Sequence, residues 1–207
     1  MSGAGQSMLL GQELGAVVDA LRRVTVQVQT RGSGLGAGVL WDGAGLVVTN
    51  AHVARGERAT IQLADGSIAP ARVVARDRRR DLAALELDGL ASTLTVAEVL
   101  RQPPSPPPPR VGDLVIAVGH PGGHTGAATL GIIHAVDGDH ADRPPRWVRA
   151  DVLLAPGFSG GPLADAAGRV IGINTMIQGG LALAVPALAV ERWLQRTVRR
   201  AEAGVTQ

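Results

Sequence analysis

The chain has 207 residues, of which 45% are hydrophobic, and its formal net charge at neutral pH is +2. This composition excludes a disordered tail, and the near balance of charge indicates no particular class of partner. The absence of cysteine excludes disulfides, thiolate metal sites and a cysteine nucleophile.

The first 23 residues lack the basic and apolar segments of a secretion signal. No run approaches the roughly 18 consecutive apolar residues of a membrane span. If the sequence is complete, we therefore expect a cytoplasmic protein with no membrane partner.

The amino-terminal half predicts one helix followed by short strands. Residues 11–22 have the periodicity of an amphipathic helix, and VTVQVQT at 24–30 alternates apolar and polar residues as a half-buried strand does. Further strands are predicted at 45–50, 59–65, 68–76 and 82–88. Turns rich in Gly, Asp and Arg separate them without a helix of crossover length, a spacing typical of barrels and sandwiches.

A proline-rich segment, RQPPSPPPPR at 101–110, divides the chain and predicts a linker, because proline disfavours both helix and central strand. Strands are predicted beyond it at 113–119, 128–136, 146–154, 169–174 and 181–186. The segment at 187–201 predicts a terminal helix with Val190, Trp193, Leu194 and Val198 on one side. We therefore expect one all-β domain, with a first β-rich half at 24–100, a second at 111–187 and a C-terminal helix at 188–201.

The segment APGFSGGPL at 155–163 places Ser159 among glycines, directly after the only Phe of the chain. The pattern G-x-S-x-G alone is typical of the nucleophile elbow of α/β-hydrolases. That alternative requires a His after the Ser, but the last His is His140. A base and a carboxylate should therefore precede Ser159, and the candidates are His52, after an apolar strand, and Asp81, before another.

With this order of His52, Asp81 and Ser159, the sequence resembles the protease domain of the HtrA (Deg) group of trypsin-like serine proteases. The matching segments follow the order of the family over most of residues 24–187. They are GSGLGAGVLWDGAGLVVTNAHV (32–53), DLAALEL (81–87), VGDLVIAVGHPGG (111–123), TLGIIHAV (129–136), DVLLAPGFSGGPLADAAGRVIGINT (151–175) and LALAVPA (181–187).

The resemblance implies a chymotrypsin/trypsin-like double β-barrel with short terminal helices and serine endopeptidase activity. In this family His52 would be the general base, Asp81 would orient it, and Ser159 would attack the peptide carbonyl to form an acyl-enzyme. The amides of Gly157 and Ser159 would form the oxyanion hole. No cofactor or metal is implied.

The sequence departs from the family at Phe158, where the HtrA pattern usually has Asn and digestive trypsin-like enzymes have an Asp that pairs with a cleaved amino terminus. Phenylalanine cannot form that ion pair. We hypothesise that Phe158 packs under the oxyanion loop and holds it.

Uncharged residues are predicted to wall the specificity pocket, namely Leu153, Asn174, Met176 and Leu183. Leu153 lies near the position at which the acidic pocket residue of trypsin would fall, so cleavage after Arg or Lys is not expected. We expect cleavage of unfolded or flexible proteins and peptides at small or aliphatic residues.

Other interpretations accompany these predictions. A catalytically weak or partner-activated peptide-binding module on the same fold is the alternative function, which Phe158 favours. The run Arg78–Arg80 is predicted to be a solvated turn and not a nucleic-acid site, because Asp77 and Asp81 flank it. His120 and His124 are predicted to be surface-loop residues and not metal ligands.

HtrA-type enzymes often carry a PDZ domain after the protease and form trimers through an aromatic-bearing amino-terminal segment. The present sequence ends soon after the terminal helix, and its first 23 residues contain no aromatic residue. We therefore expect no PDZ domain, a monomer or small homo-oligomer, and protein or peptide partners without nucleic acid. Since the family mostly works outside the cytoplasm, the analogy leaves an extracytoplasmic location open for a trimmed chain.

Overall fold

The computed structural model describes residues 3–30, 35–89, 94–100, 108–137 and 146–204. These ranges contain two helices, α1 (Gly3–Val24) and α2 (Ala187–Gly204), and a short 3-10 turn at Pro121–Gly123. The strands are β1 (Thr25–Gln29), β2 (Leu35–Leu40), β3 (Leu46–Thr49), β4 (Arg58–Gln62), β5 (Ile68–Asp77), β6 (Leu82–Leu87), β7 (Leu114–Gly119), β8 (Ala127–Asp137), β9 (Trp147–Asp151), β10 (Pro162–Asp165), β11 (Val170–Gln178) and β12 (Leu181–Pro186).

The strands form two closed antiparallel barrels of six strands each. Their order is β1-β2-β3-β6-β5-β4 in the first barrel and β10-β11-β12-β9-β8-β7 in the second. Closure leaves neither sheet with an unpaired edge. The predicted all-β double barrel is therefore confirmed.

The largest apolar cluster lies where the two barrels meet. It joins Val39 and Val48 of the first barrel to Ile116 and Ile173 of the second. Both helices cover this junction with buried side chains, among them Leu21, Val24, Val190 and Trp193. Burial of apolar surface thus fixes the two barrels against each other.

Helix α1 begins at Gly3, well before the predicted start at residue 11. Its apolar positions at Leu14, Val17, Val18 and Leu21 follow the spacing of one helical face and pack on the junction between the barrels. Helix α2 has the predicted buried face at Val190, Trp193 and Leu194, whereas the side chain of Val198 lies outside the described residues. Within the described part of the chain, neither helix is apolar enough over a sufficient length to cross a membrane.

Strands β2 and β10 were not predicted. The glycines of LGAGVL in β2 lower its apparent strand propensity. A Cβ at Gly38, however, would lie 2.8 Å from Val47 Cγ1 and 3.0 Å from Val28 Cγ2, so the barrel core has no room for a side chain there. Glycine in this strand therefore permits packing at close approach and does not mark a loop.

The connection between the barrels is hydrogen-bonded before the proline-rich segment begins. The amide of Ala97 donates to the Leu40 carbonyl of the first barrel at 2.9 Å. The amide of Leu100 donates to the Val170 carbonyl of the second barrel at 3.0 Å, and Val170 donates to Glu98 at 2.7 Å. The predicted linker at 101–110 lies outside the described residues except for its last three positions.

Candidate active site

His52 and Asp81 meet at the end of the first barrel. Strand β3 ends at Thr49, and the following turn is closed by amides of Val53 and Ala54 that donate to the Asn50 carbonyl at 3.2 and 3.0 Å. His52 Nδ1 lies 2.7 Å from Asp81 Oδ2, and the main-chain amide of His52 donates to Asp81 Oδ1 at 3.0 Å. The His52 side chain is 43% exposed and that of Asp81 only 16%, so the imidazole lies between the carboxylate and solvent.

The backbone at Asp81 adopts a left-handed conformation with φ of +56°, the one positive φ of a non-glycine residue in the described ranges. Aspartate tolerates this region better than most residues. The Asn50 side-chain amide donates to the Asp81 carbonyl at 3.0 Å, and the preceding turn is closed by Asp77, whose Oδ1 accepts from the Arg79 amide at 2.9 Å. The carboxylate position is therefore fixed by the backbone on both sides of it.

Asp81 is ionised in this environment. Its burial would raise the pKa of the carboxyl group, but hydrogen bonds from His52 and Thr175 outweigh burial and hold the pKa below its ordinary value. An ionised carboxylate only accepts hydrogen bonds, so Nδ1 of a neutral His52 must carry the ring proton. The lone pair of Nε2 is then free to accept a proton, as a general base requires.

Thr175, which the sequence places only within the predicted pocket wall NTMI at 174–177, joins the acid to the candidate nucleophile. Its buried hydroxyl donates to Asp81 Oδ2. Its carbonyl accepts a hydrogen bond from Ser159 Oγ at 3.2 Å. No short motif marks a threonine in this role, so only the contact across the two barrels reveals it.

The main chain of Ser159 is tied to the first barrel through β2. The amide of Ala37 donates to the Ser159 carbonyl at 2.8 Å, and the hydroxyl of Thr49 donates to the Ala37 carbonyl at 2.6 Å. Thr49 also ends the strand that leads to His52. The loop that carries Ser159 and the turn that carries His52 are therefore both hydrogen-bonded, directly or through Thr49, to Ala37 of β2. Within the described contacts the Ser159 hydroxyl bonds to Thr175 and not to the ring of His52. Hydrogen bonds of this kind often tighten only when substrate binds.

The turn before Ser159 leaves two main-chain amides available. Gly157 has a φ of +111°, and a Cβ there would lie 2.5 Å from the His120 carbonyl oxygen, so only glycine fits. The His120 amide donates to the Gly157 carbonyl at 3.0 Å, and the Phe158 amide donates to Ala155 at 3.1 Å. Among the described residues, no acceptor takes a hydrogen bond from the amides of Gly157 or Ser159.

Phe158 is 5% exposed and belongs to the apolar cluster inside the second barrel, with Ile133 and Leu163. Its ring lies against Gly119, where a Cβ would approach Phe158 Cδ1 to 2.9 Å. The side chain is therefore directed into the barrel, beneath the turn that carries Gly157 and Ser159.

The prediction that His120 is a surface-loop residue is wrong. His120 is 3% exposed, and its Nδ1 accepts a hydrogen bond from the Gly126 amide at 3.2 Å. The glycines that follow it predict an open loop, but they fold into a tight turn against the barrel end. His124 is exposed, as predicted. Within the described ranges, no three His, Asp or Glu side chains are grouped as a metal site would require.

We expect the buried His120 to make the fold acid-sensitive. Burial lowers the pKa of its imidazole, an effect that the Val26 carbonyl opposes in part. As the pH falls, the His120 imidazole is therefore protonated in the unfolded chain before it is protonated in the folded chain. The contribution to the free energy of unfolding is complete above about pH 6.5 and declines as the pH falls through the lower, folded pKa.

Urea unfolding between about pH 5 and 7.5 measures this effect. The control variant His120→Gln lacks the titrating ring, so its free energy of unfolding should decline less over that interval. Parallel curves for the two proteins would contradict a buried, neutral His120.

The four predicted pocket residues occupy different environments. Leu153 is 83% exposed and Met176 is about half exposed, whereas Asn174 and Leu183 are buried. Met176 and Leu183 are partners across β11 and β12. The Asn174 side-chain amide donates to the Pro162 carbonyl at 2.8 Å. The structure thus leaves Leu153 and Met176 accessible to a ligand, while Asn174 supports the main chain after Ser159.

Comparisons with known proteins show the family of the chain. The family model described as the trypsin-like peptidase domain matches residues 36–173. HhoA of Synechocystis sp. is 36% identical over 167 residues, which are 76% of this chain and 41% of HhoA. "Protease Do-like 1, chloroplastic" of Arabidopsis thaliana is 33% identical over 84% of this chain and 42% of its own length.

A third relative, "Probable periplasmic serine endoprotease DegP-like" of Brucella suis, is 33% identical over 80% of this chain. The match covers 33% of that relative. The chain therefore spans less than half the length of these curated relatives.

Proposed function

The chain belongs to the trypsin-like peptidase domain family and is of the HtrA type, and from this we propose that it is a serine endopeptidase acting through His52, Asp81 and Ser159. The observation that supports the proposal is the contact of His52 with Asp81 together with the Thr175 bridge from Asp81 to Ser159. His52 Nδ1 lies 2.7 Å from the Asp81 carboxylate, and Thr175 is hydrogen-bonded to both Asp81 and Ser159.

In the first half-reaction, Ser159 Oγ attacks the peptide carbonyl carbon while His52 Nε2 takes the hydroxyl proton. The ionised Asp81 stabilises the resulting imidazolium. The carbonyl oxygen gains negative charge and accepts hydrogen bonds from the amides of Gly157 and Ser159. As the C–N bond breaks, Nε2 returns its proton to the leaving amine, and the acyl group stays on Ser159.

In the second half-reaction, water attacks the acyl carbonyl and His52 Nε2 takes one of its protons. Collapse of the tetrahedral species then releases the carboxylic acid product and restores the Ser159 hydroxyl with the proton from His52. His52 Nε2 thus mediates each proton transfer of the cycle, between Ser159, the leaving amine and the attacking water.

Substrates are unfolded or flexible segments of protein, cleaved after small or aliphatic residues. The accessible side chains near the site, Leu153 and Met176, are apolar, and no charged residue is among the four predicted pocket positions. A peptide-library profile should therefore show Ala, Val or Leu before the scissile bond. A profile dominated by Arg or Lys would contradict this assignment.

A fluorophosphonate probe tests the nucleophile directly. We expect a covalent adduct on Ser159, identified by mass spectrometry of the digested protein, because such probes require a serine activated by a base. Denatured protein is the control, since unfolding separates Ser159 from His52. An adduct that forms equally after denaturation would contradict activation.

A catalytically weak or partner-activated peptide-binding module on the same fold is a second candidate. It is favoured by the hydrogen bond from Ser159 Oγ to the Thr175 carbonyl, which directs the hydroxyl proton away from His52. Native protein that binds unfolded peptides but forms no adduct would support this candidate over the peptidase.

In the proposed mechanism, the burial of Phe158 in the second barrel holds the turn that carries the oxyanion-hole amides of Gly157 and Ser159. Replacement by Asn removes apolar contacts and buries an amide, and truncations of buried Phe typically destabilise by about 3–5 kcal/mol. We expect Phe158→Asn to lower both kcat and the unfolding temperature, and Phe158→Leu, which stays apolar, to lower them less. Unchanged turnover in Phe158→Asn would show that the ring does not hold the turn.

A further inference from the structure

A concave site whose lining residues include none of His52, Asp81 and Ser159 lies between the β5–β6 turn, the start of β9 and α2. This cleft has a volume of about 1010 Å³. Arginines from all three elements line it, namely Arg78–Arg80 from the turn, Arg146 before β9, and Arg192 and Arg196 from α2. The sequence predicts a solvated turn at Arg78–Arg80, and these side chains are exposed, but the fold brings them together with basic residues distant in sequence.

The positive charge of this arginine cleft is largely uncompensated. Asp77 is the one acidic residue among its lining residues, and its carboxylate pairs with Arg80 at 2.6 Å and accepts from the amides of its own turn. Within the described residues, the other exposed arginines of the cleft form no ion pair. Like charges that line one cleft repel one another, so the cleft favours a ligand of opposite charge.

Arg76 lies at the inner wall of the cleft and is anchored there to main-chain carbonyls. Its Nη2 donates to the carbonyls of Ala54 at 2.6 Å and Gly56 at 2.7 Å. Its Nε is buried and has no hydrogen-bond partner among the described residues. Because this Nε has no accessible surface, Arg76 adds positive charge to the wall of the cleft without contacting a ligand through Nε.

The chemistry of the wall defines the class of ligand. Arginine forks match the geometry of phosphate oxygens and bind them in bidentate fashion. The volume falls at the upper end of small-molecule sites, and the partly buried Trp147 adds a flat apolar surface. Because Arg76 and Arg192 are only partly exposed in a concave wall, a rigid duplex backbone would not reach them.

We propose that the arginine cleft binds a small polyanion carrying two or more phosphate groups. Two sources share this chemistry, an inorganic polyphosphate chain and a nucleoside polyphosphate. The proposed ligand takes no part in the proposed peptidase reaction, so a measurement of binding alone tests the proposal.

Isothermal titration calorimetry with inorganic tripolyphosphate and with ATP tests the proposal, using the Ser159→Ala chain to prevent self-cleavage. We expect one site per chain and an affinity that falls as ionic strength rises. The double variant Arg79→Gln/Arg196→Gln removes one guanidinium from each of two walls and should bind at least about tenfold more weakly. Arg110→Gln, an exposed arginine outside the cleft, is the matched control and should bind as the parent does.

The titrations distinguish a nucleotide from a phosphate chain as the ligand, and both of these from duplex DNA. Tighter binding of ATP than of tripolyphosphate supports a nucleotide ligand, and equal binding supports the phosphate chain. Three results would overturn the proposal: no binding at low salt, equal weakening in Arg110→Gln, or displacement of tripolyphosphate by tighter-binding duplex DNA. Unfolding temperatures of all variants show whether a loss of binding reflects a loss of folding.

Discussion

Replacement of Ser159 by alanine is expected to abolish peptide cleavage, lowering kcat on the order of 10⁶-fold if the proposed triad is correct. The loss is large because the variant has no group that can form the acyl-enzyme at this position. Thr175 cannot take over, since its hydroxyl already donates to Asp81. The amides of Gly157 and Ser159 remain in the variant and would leave roughly a thousandfold acceleration over water.

The measurement is cleavage of an unfolded casein-like substrate by the wild-type chain and by Ser159→Ala, purified in parallel. Ser67→Ala is a matched control, because Ser67 lies in the exposed β4–β5 turn and its hydroxyl bonds only to Asp65. Full activity in Ser67→Ala and none in Ser159→Ala would identify the nucleophile. Equal cleavage by Ser159→Ala and the wild type would refute Ser159 in that role. Cleavage by none of the three proteins would instead favour the peptide-binding candidate.

The sequence predicts the all-β class from its pattern and the double barrel from its resemblance to the HtrA group. Alternating strands with short turns are typical of barrels and sandwiches, and the absence of a His after Ser159 excludes a hydrolase elbow. The structure then brings His52 and Asp81 into contact at 2.7 Å, although their positions in the sequence are well separated. Both residues adjoin strands whose pattern is clear, which is why sequence reasoning can place them.

Features that depend on close approach between distant segments were missed. β2 has glycines where the barrel core and the Ser159 carbonyl leave no room, and a Cβ at Gly36 would lie 3.2 Å from that oxygen. The low strand propensity of glycine predicts a loop at such positions, whereas the fold requires glycine in a strand here. His120 is buried for a related reason, since its main-chain amide donates to Gly157 while its ring accepts from the Gly126 amide. Neither contact has a local signal in the sequence.

The arginine cleft also depends on contacts between distant segments and is not predicted by the local sequence. Arg78–Arg80 alone is a common solvated turn, flanked by acidic residues that offset it. The fold directs Asp77 back into its own turn, directs Asp81 to His52, and adds arginines from α2. Arginines and aspartates that balance each other along the sequence are therefore separated in the structure, and the cleft keeps an excess of positive charge.

Asp81→Asn is expected to lower kcat by about 10⁴-fold while leaving the fold intact. The carboxylate accepts three hydrogen bonds, from the His52 amide, from His52 Nδ1 and from the Thr175 hydroxyl. An asparagine side chain has one acceptor oxygen, and its NH₂ group must replace the other. If the NH₂ group faces Nδ1, the ring proton moves to Nε2, and His52 can no longer take the proton of Ser159. If the NH₂ group faces the His52 amide, two donors oppose each other and the ring is displaced.

The backbone supports the comparison, because asparagine tolerates the left-handed φ of +56° at this position as well as aspartate does. Asp65→Asn is the control, since Asp65 caps an exposed turn with similar hydrogen bonds to the amide and hydroxyl of Ser67. The measurements are kcat and KM on a peptide substrate, the rate of fluorophosphonate labelling at Ser159, and the unfolding temperature. A folded Asp81→Asn protein should retain KM within a few-fold but lose turnover and labelling together. Turnover within about tenfold of wild type would show that His52 keeps the required tautomer without the carboxylate, and Asp81 would then be a structural residue of its turn.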